Sequence, residues 1–287
     1  MNWRDEYPFE SHWRATPGDA RMHYVDEGTG DPVLFVHGNP TWSFYWRHLI
    51  RDLRATHRCV APDHVGMGLS DKPAQGRYRL ADRIEDLCTL VTDLDLRRMT
   101  VVVHDWGGAI GLGMAGRMPE RVARLVITNT GAFPSRHMPT RIAMCRIPVL
   151  GPLAVRGLNG FARAAIHMAT EHGLSPSATT GLLAPYGSWA DRVAIQRFVE
   201  DIPRDPTHPS WATLIEVEAN LARLRDMPTL IAWGTRDWCF TTAFRDGFAQ
   251  RFPDARVVNV DDAGHYLCED ARETLAIETR RHLGLPA

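Results

Sequence analysis

The sequence predicts an α/β protein: a mostly parallel, doubly wound sheet with a helical cap inserted after the sixth strand. Three observations carry this. Up to residue 131, short apolar β-branched segments alternate with amphipathic helix patterns. From 132 to 225 that alternation stops, and helix formers broken by Pro148, Pro152, Pro176 and Pro185 replace it. It resumes with PTLIAWG (228–234) and ARVVNV (255–260). The core is therefore expected to comprise 1–131 and 226–287, with 132–225 as the cap.

The expected strands are, in order, SHWRA (11–15), RMHYVDEG (21–28), PVLFVHG (32–38), HRCVAPD (57–63), VVVHD (101–105) and RLVITNT (124–130), then the two just named. FYWRHLIRDLRA and RLADRIEDLCTLVTDL space their apolar residues three and four apart, as helices packed on one face do. A final helix begins near residue 270. Apolar strands alternating with such helices form parallel sheets covered on both faces. Ligands then bind beyond the carboxyl ends of the strands, the space a cap would enclose.

With 287 residues, 44% of them hydrophobic, and a formal charge of −1, the chain can bury a sizeable core and lacks the basic field that nucleic acid requires. Its five cysteines are scattered without C-x-x-C spacing, which predicts neither a disulfide framework nor a zinc site and fits a reducing cytoplasm. No apolar run reaches the roughly 18 residues of a membrane span. No metal-ligand spacing or glycine-rich phosphate loop is present, so no cofactor is expected.

Chemistry concentrates at three strand ends. In VVVHDWGGAIG (101–111) a strand breaks sharply into a small-residue helix, with Asp105 at the turn. Asp237 follows LIAWGTR, and His265 follows VVNVDDAG. Singly, each has a structural reading: an Asp between strand and helix is often a cap, and an isolated His is more often packed than catalytic. Nucleophile, acid and histidine in this chain order, each just past a strand, favour the catalytic reading. An ionised carboxylate attacks an sp³ carbon without a base and forms an ester. His265, held by Asp237, would then activate water against that ester. The backbone N–H groups of Trp106 and Asn39 are the expected oxyanion donors, and the Trp106 indole and Asn39 amide the expected receivers of a leaving anion.

HGNPTW (37–42), APDHVGMGLSD (61–71), VVHDWGG (102–108), WGTRDWCF (233–240) and DDAGHY (261–266) resemble the haloalkane dehalogenase family of α/β-hydrolases. The resemblance implies Asp105 as nucleophile, His265 as base, Asp237 as acid, and Asn39 with Trp106 as the halide-stabilising pair. ITNTGAF, around the end of the sixth strand, has no carboxylate, and Asp237 after the following strand, combined with Asn39 and Trp106, resembles the third dehalogenase subfamily. YPFESHW, HYVDEG, FYWRHL, NGFARAA, APYGSWADR and FVEDIP look closest to a neighbouring group, the β-lactone decarboxylases of bacterial long-chain olefin biosynthesis. The resemblance thus implies decarboxylation of a cis-β-lactone to an alkene, with haloalkane hydrolysis as the alternative. Epoxide hydrolase is a minor alternative, since Tyr186 is the one tyrosine in the expected cap. The expected partner is a small apolar substrate, with a homo-oligomer or an olefin-pathway assembly also implied. Asp63, Gly66, Gly68 and Ser70 read as a structural turn, His104 as a supporting residue, and Trp238 and Phe240 as packing against the cap. RIPVLGPLAVRGLNGFARAAIHMA (146–169) has four open readings: a lining for acyl channels, an ordinary buried helix, an oligomer contact or a weak membrane contact.

Overall fold

In the computed structural model, which describes residues 2–286, eight strands form one sheet. They are β1 (Ser11–Ala15), β2 (Arg21–Glu27), β3 (Pro32–Val36), β4 (Arg58–Pro62), β5 (Met99–Asp105), β6 (Val122–Thr130), β7 (Thr229–Gly234) and β8 (Arg256–Val260). Their order is β1-β2-β4-β3-β5-β6-β7-β8. Only the β1–β2 and β2–β4 pairs are antiparallel. Every strand lies within two residues of its expected ends.

All seven residues of β5 and all six of β7 are buried, as both-face coverage requires, whereas edge strand β8 is largely exposed. Helix Leu80–Asp93 packs on helix Trp106–Arg117, and helix Arg47–Leu53 on the C-terminal helix Arg272–His282. Helix Thr242–Arg251 is an element the sequence pattern left unmarked. It buries Phe244 and Phe248, one turn apart, without a longer apolar stripe.

Chain order makes the site. β3 lies between β4 and β5, so the connections leaving β3 and β5 diverge and open a crevice at their carboxyl ends. Val36 pairs with Val103, which sets His37–Asn39 beside Asp105. Between β6 and β7 run helices Thr140–Met144, Gly160–Met168, Pro176–Leu183, Val193–Glu200 and Trp211–Asn220, with no strand among the described residues. Helix Trp211–Asn220 packs on Trp106–Arg117.

Two buried polar networks brace the loops around this crevice. Asp63 accepts hydrogen bonds from the Ser43 and Leu69 backbone N–H groups at 2.7 and 2.8 Å and pairs with His23 at 2.9 Å. Ser70 donates to the Asp63 carbonyl at 2.6 Å, and Gly66 and Gly68 take φ of +88° and +48°, so the expected structural turn is present. Arg47, fully buried, donates to Glu269 at 2.5 Å and to Glu6 at 2.8 Å. Glu269 sits four residues after His265, so this ion pair anchors the histidine loop. Glu269→Gln leaves part of the buried guanidinium charge uncompensated and is expected to cost about 3 kcal/mol. Urea unfolding measures it; a loss below about 1 kcal/mol would show that Glu6 alone satisfies Arg47.

Candidate active site

Asp105 ends β5 and immediately precedes helix Trp106–Arg117. Its backbone sits at φ +52°, ψ −129°, a conformation costly for a residue with a Cβ. The turn aims the side chain across the strand ends toward the loop after β3. There the Asn39 backbone N–H donates to Asp105 Oδ1 at 2.5 Å, and the Trp106 N–H also faces the carboxylate. Thr130 donates its hydroxyl to the Asp105 carbonyl. Gly38 leaves room for the nucleophile's side chain: a Cβ there would overlap the Asp105 carboxylate. Gly38→Ala is therefore expected to displace that carboxylate and lower kcat/KM by about a hundredfold, with a modest change in Tm. Unchanged kinetics in that variant would mean the loop yields freely.

Behind Asp105 stands His265, with Nε2 3.6 Å from Asp105 Oδ2 and Nδ1 2.8 Å from Asp237 Oδ2. Asp237 is fixed in turn by the N–H groups of Cys239 and Phe240 at 2.7 and 3.0 Å. The side-chain amide of Asn129 donates to its other oxygen at 3.0 Å and also binds both backbone groups of Gly234. The sequence reading missed Asn129; the available signal was the polar Thr128-Asn129-Thr130 that closes the apolar run LVI. His104 donates its Nε2–H to the His265 carbonyl at 2.8 Å, and the two rings lie tilted with centroids 4.5 Å apart, the supporting place expected of it.

Burial is the largest influence on both titrating groups. It raises the Asp105 pKa, against the opposing pull of His265 and the two backbone N–H groups. It opposes charge on His265, but Asp237 by charge and hydrogen bond, with Asp105, raises that pKa above the ordinary histidine value. The pair is thus a carboxylate stripped of water beside an imidazole held toward its charged form.

Asp105, His265, Asn39 and Trp106 line one cavity of about 590 Å³. Asp237 lies behind His265, outside the cavity wall. The Asn39 amide donates to the Ile195 carbonyl at 3.2 Å, and its Oδ1 has no partner among the described residues. Trp106 lays its ring against Phe198 at 5.3 Å. Apolar side chains make most of the remaining wall: Met138, Ile142, Ile147, Leu150, Phe161 and Met168 from the β6–β7 insertion, with Phe240 and Tyr266 from the core loops. The 146–169 segment therefore contributes directly to the lining. Trp238 and Phe240 also line the cavity, although packing against the cap alone was expected. Trp238 does both, donating its indole N–H to the Met168 carbonyl at 2.7 Å, and Phe240 stacks on the His265 ring at 5.7 Å. Tyr186 is buried against Thr41 and Gly68. No group of three or more potential metal ligands occurs among the described residues. No helix among them is long and apolar enough to cross a membrane.

A family description of the alpha/beta hydrolase fold matches residues 31–271. The chain belongs to the α/β-hydrolase family. Within it, this hydrolase is 42% identical over 93% of its length to cis-3-alkyl-4-alkyloxetan-2-one decarboxylases from Shewanella oneidensis and Xanthomonas campestris, spanning 86% and 93% of those proteins. It is 36% identical over 94% of its length to haloalkane dehalogenase 2 of Mycobacterium tuberculosis, spanning 93% of that protein. Among solved structures, haloalkane dehalogenase DbeA from Bradyrhizobium elkani superposes with a TM-score of 0.87 at 27% identity, covering 96% of this chain and 98% of that one.

Proposed function

We propose that this α/β-hydrolase converts cis-3,4-dialkyl β-lactones to alkenes, with Asp105 as nucleophile. The higher identity to the oxetanone decarboxylases than to the dehalogenases carries the choice. A mostly apolar cavity ending on one desolvated carboxylate supports it physically. In this reading 132–225 is the cap over a core of 1–131 and 226–287, and the substrate is small and apolar. The five cysteines, all free, support a reducing cytoplasm.

Asp105 attacks the sp³ ring carbon bonded to the ring oxygen, not the carbonyl carbon. That C–O bond breaks as the aspartyl ester forms, and the ring carboxyl is released as a carboxylate. Asn39 and Trp106 donate to it, while the imidazolium of His265 balances the charge. The bond from the carboxylate carbon to the α-carbon then breaks. Its electrons form the C=C bond, carbon dioxide leaves, and the ester oxygen departs as the restored Asp105 carboxylate. Inversion followed by anti departure takes a cis-lactone to a cis-alkene. Neither step needs water, a metal or an electron carrier.

The same site supports a second reading, haloalkane hydrolysis, because Trp106 and Asn39 form a neutral anion pocket and the solved dehalogenases share the fold. Halide would leave as the ester forms, and neutral His265 would then activate water against the ester carbonyl. Asn39 and Trp106 backbone N–H groups would hold that oxyanion. Because the His265 pKa lies above 6.5, this hydrolytic step is expected to rise with pH along a limb displaced upward from 6.5. Asp237→Asn removes the charge responsible and should shift that limb down, with kcat falling by about 10³ to 10⁴. A pH profile of halide release reads both effects. An unmoved limb would detach Asp237 from the histidine's titration.

The deciding assay gives purified protein a long-chain cis-β-lactone with alkene detection and a panel of bromoalkanes with halide detection. Alkene formation is expected to exceed halide release in kcat/KM by about a hundredfold or more. Sustained halide release with the lactone untouched establishes the dehalogenase instead.

A further inference from the structure

Apolar exposure on this molecule is concentrated in one place. Of the twelve large hydrophobic side chains that are exposed among the described residues, six lie between Met144 and Leu158. Val149 and Leu158 are more than 70% exposed, and Leu150 and Met144 about 60%. Trp189, also exposed, joins them through Arg156, whose guanidinium lies 4.5 Å from its ring centroid. Contiguous exposed apolar surface of this kind marks an interaction site.

Its charge pattern selects the partner. From Gly131 to Thr170 the chain carries Arg136, Arg141, Arg146, Arg156 and Arg163 and not one carboxylate. None of the five pairs with a carboxylate among the described residues. Arg141 rests over Trp238, and Arg146 and Arg156 donate to backbone carbonyls, so no direct ion pair ties up their charge, although Glu200, Asp201 and Asp205 lie near Arg146. Met144, Ile147 and Leu150 are both exposed and part of the cavity wall, so this face is continuous with the mouth of the proposed active site.

We infer that the 136–163 face docks on an anionic phospholipid surface, inserting its apolar residues at the headgroup boundary while the arginines meet lipid phosphates. A second copy of the chain fits poorly: a two-fold contact through this face sets one protomer's unpaired arginines against its partner's. An anionic bilayer supplies both the apolar layer and the opposite charge. A dialkyl substrate dissolved in that bilayer would then pass into the cavity over Met144, Ile147 and Leu150 without crossing water. The docking itself does not depend on the reaction at Asp105, and its test reads partition without turnover.

The test is co-sedimentation of the full chain with vesicles of phosphatidylcholine alone and of phosphatidylcholine with an equal share of phosphatidylglycerol. Partition onto the anionic vesicles is expected to be about tenfold or more the stronger and to weaken between about 0.15 M and about 1 M salt. Leu153→Glu with Leu158→Glu, and separately Arg136→Glu with Arg163→Glu, alter exposed residues outside the cavity wall. Both pairs should abolish the partition while leaving the circular dichroism melt unchanged. Absence of wild-type partition, or partition unaltered in both variants, overturns the inference. So does a concentration-dependent dimer in sedimentation velocity that the leucine variant dissociates, which assigns the face to a second copy.

Discussion

Asp105→Ala is expected to lose about 10⁴-fold or more in kcat/KM on either substrate class, because both schemes begin with a bond to its carboxylate. Loss of fold does not explain such a result, and a companion variant makes the point. Asp105 holds φ +52° and buries a carboxylate whose pKa burial raises, so the native residue is costly twice over. Asp105→Gly adopts that backbone freely and removes the buried charge. It is expected to be as inactive as the alanine variant yet more stable than wild type by about 1 kcal/mol or more, read as Tm and urea midpoint. An inactive and destabilised glycine variant would mean that the Asn39 and Trp106 hydrogen bonds outweigh the strain. An active one would remove Asp105 from the mechanism altogether.

His265→Ala separates the two chemistries. Hydrolysis of an aspartyl ester needs a base for water, so bromoalkane turnover should fall by about 10³ to 10⁴ while the first alkylation proceeds. The alkyl group should then accumulate on the peptide containing Asp105, visible in its mass. Lactone decarboxylation in our scheme consumes no water, so the variant loses only the charge 3.6 Å from Asp105, and alkene formation should fall by about ten- to a hundredfold. Equal losses in both reactions would make His265 a base in each and would exclude attack at the alkyl carbon.

Much of this was legible in the chain because local and global signals agree. The valines of β5 read as a doubly covered strand and are wholly buried. Strand ends can be placed from apolar runs, and in a parallel sheet strand ends are where functional groups converge; Asp105, His265, Asn39 and Trp106 all reach the cavity. What stayed hidden depends on contacts distant in sequence. Asn129 reads as a strand-end polar residue until β7 brings Gly234 and Asp237 against it. Gly38 suggests a turn, whereas its missing Cβ leaves room for a carboxylate 67 residues on. Phe240 and Trp238 follow Asp237 closely enough to be assigned to the cap, yet their rings also face the cavity. Helix Thr242–Arg251 escaped because only two of its residues are buried, too few for a periodic stripe.

In the proposed reaction a hydrolase-type site removes carbon dioxide and adds no water. Product analysis of a single cis-3,4-dialkyl β-lactone turned over in ¹⁸O-labelled water tests it most directly. The expected organic product is the cis-alkene, with no labelled hydroxy acid above the enzyme-free background. A β-hydroxy acid carrying ¹⁸O and formed faster than in enzyme-free solution would contradict it, since that excess requires the site to direct water at the ring or at the ester.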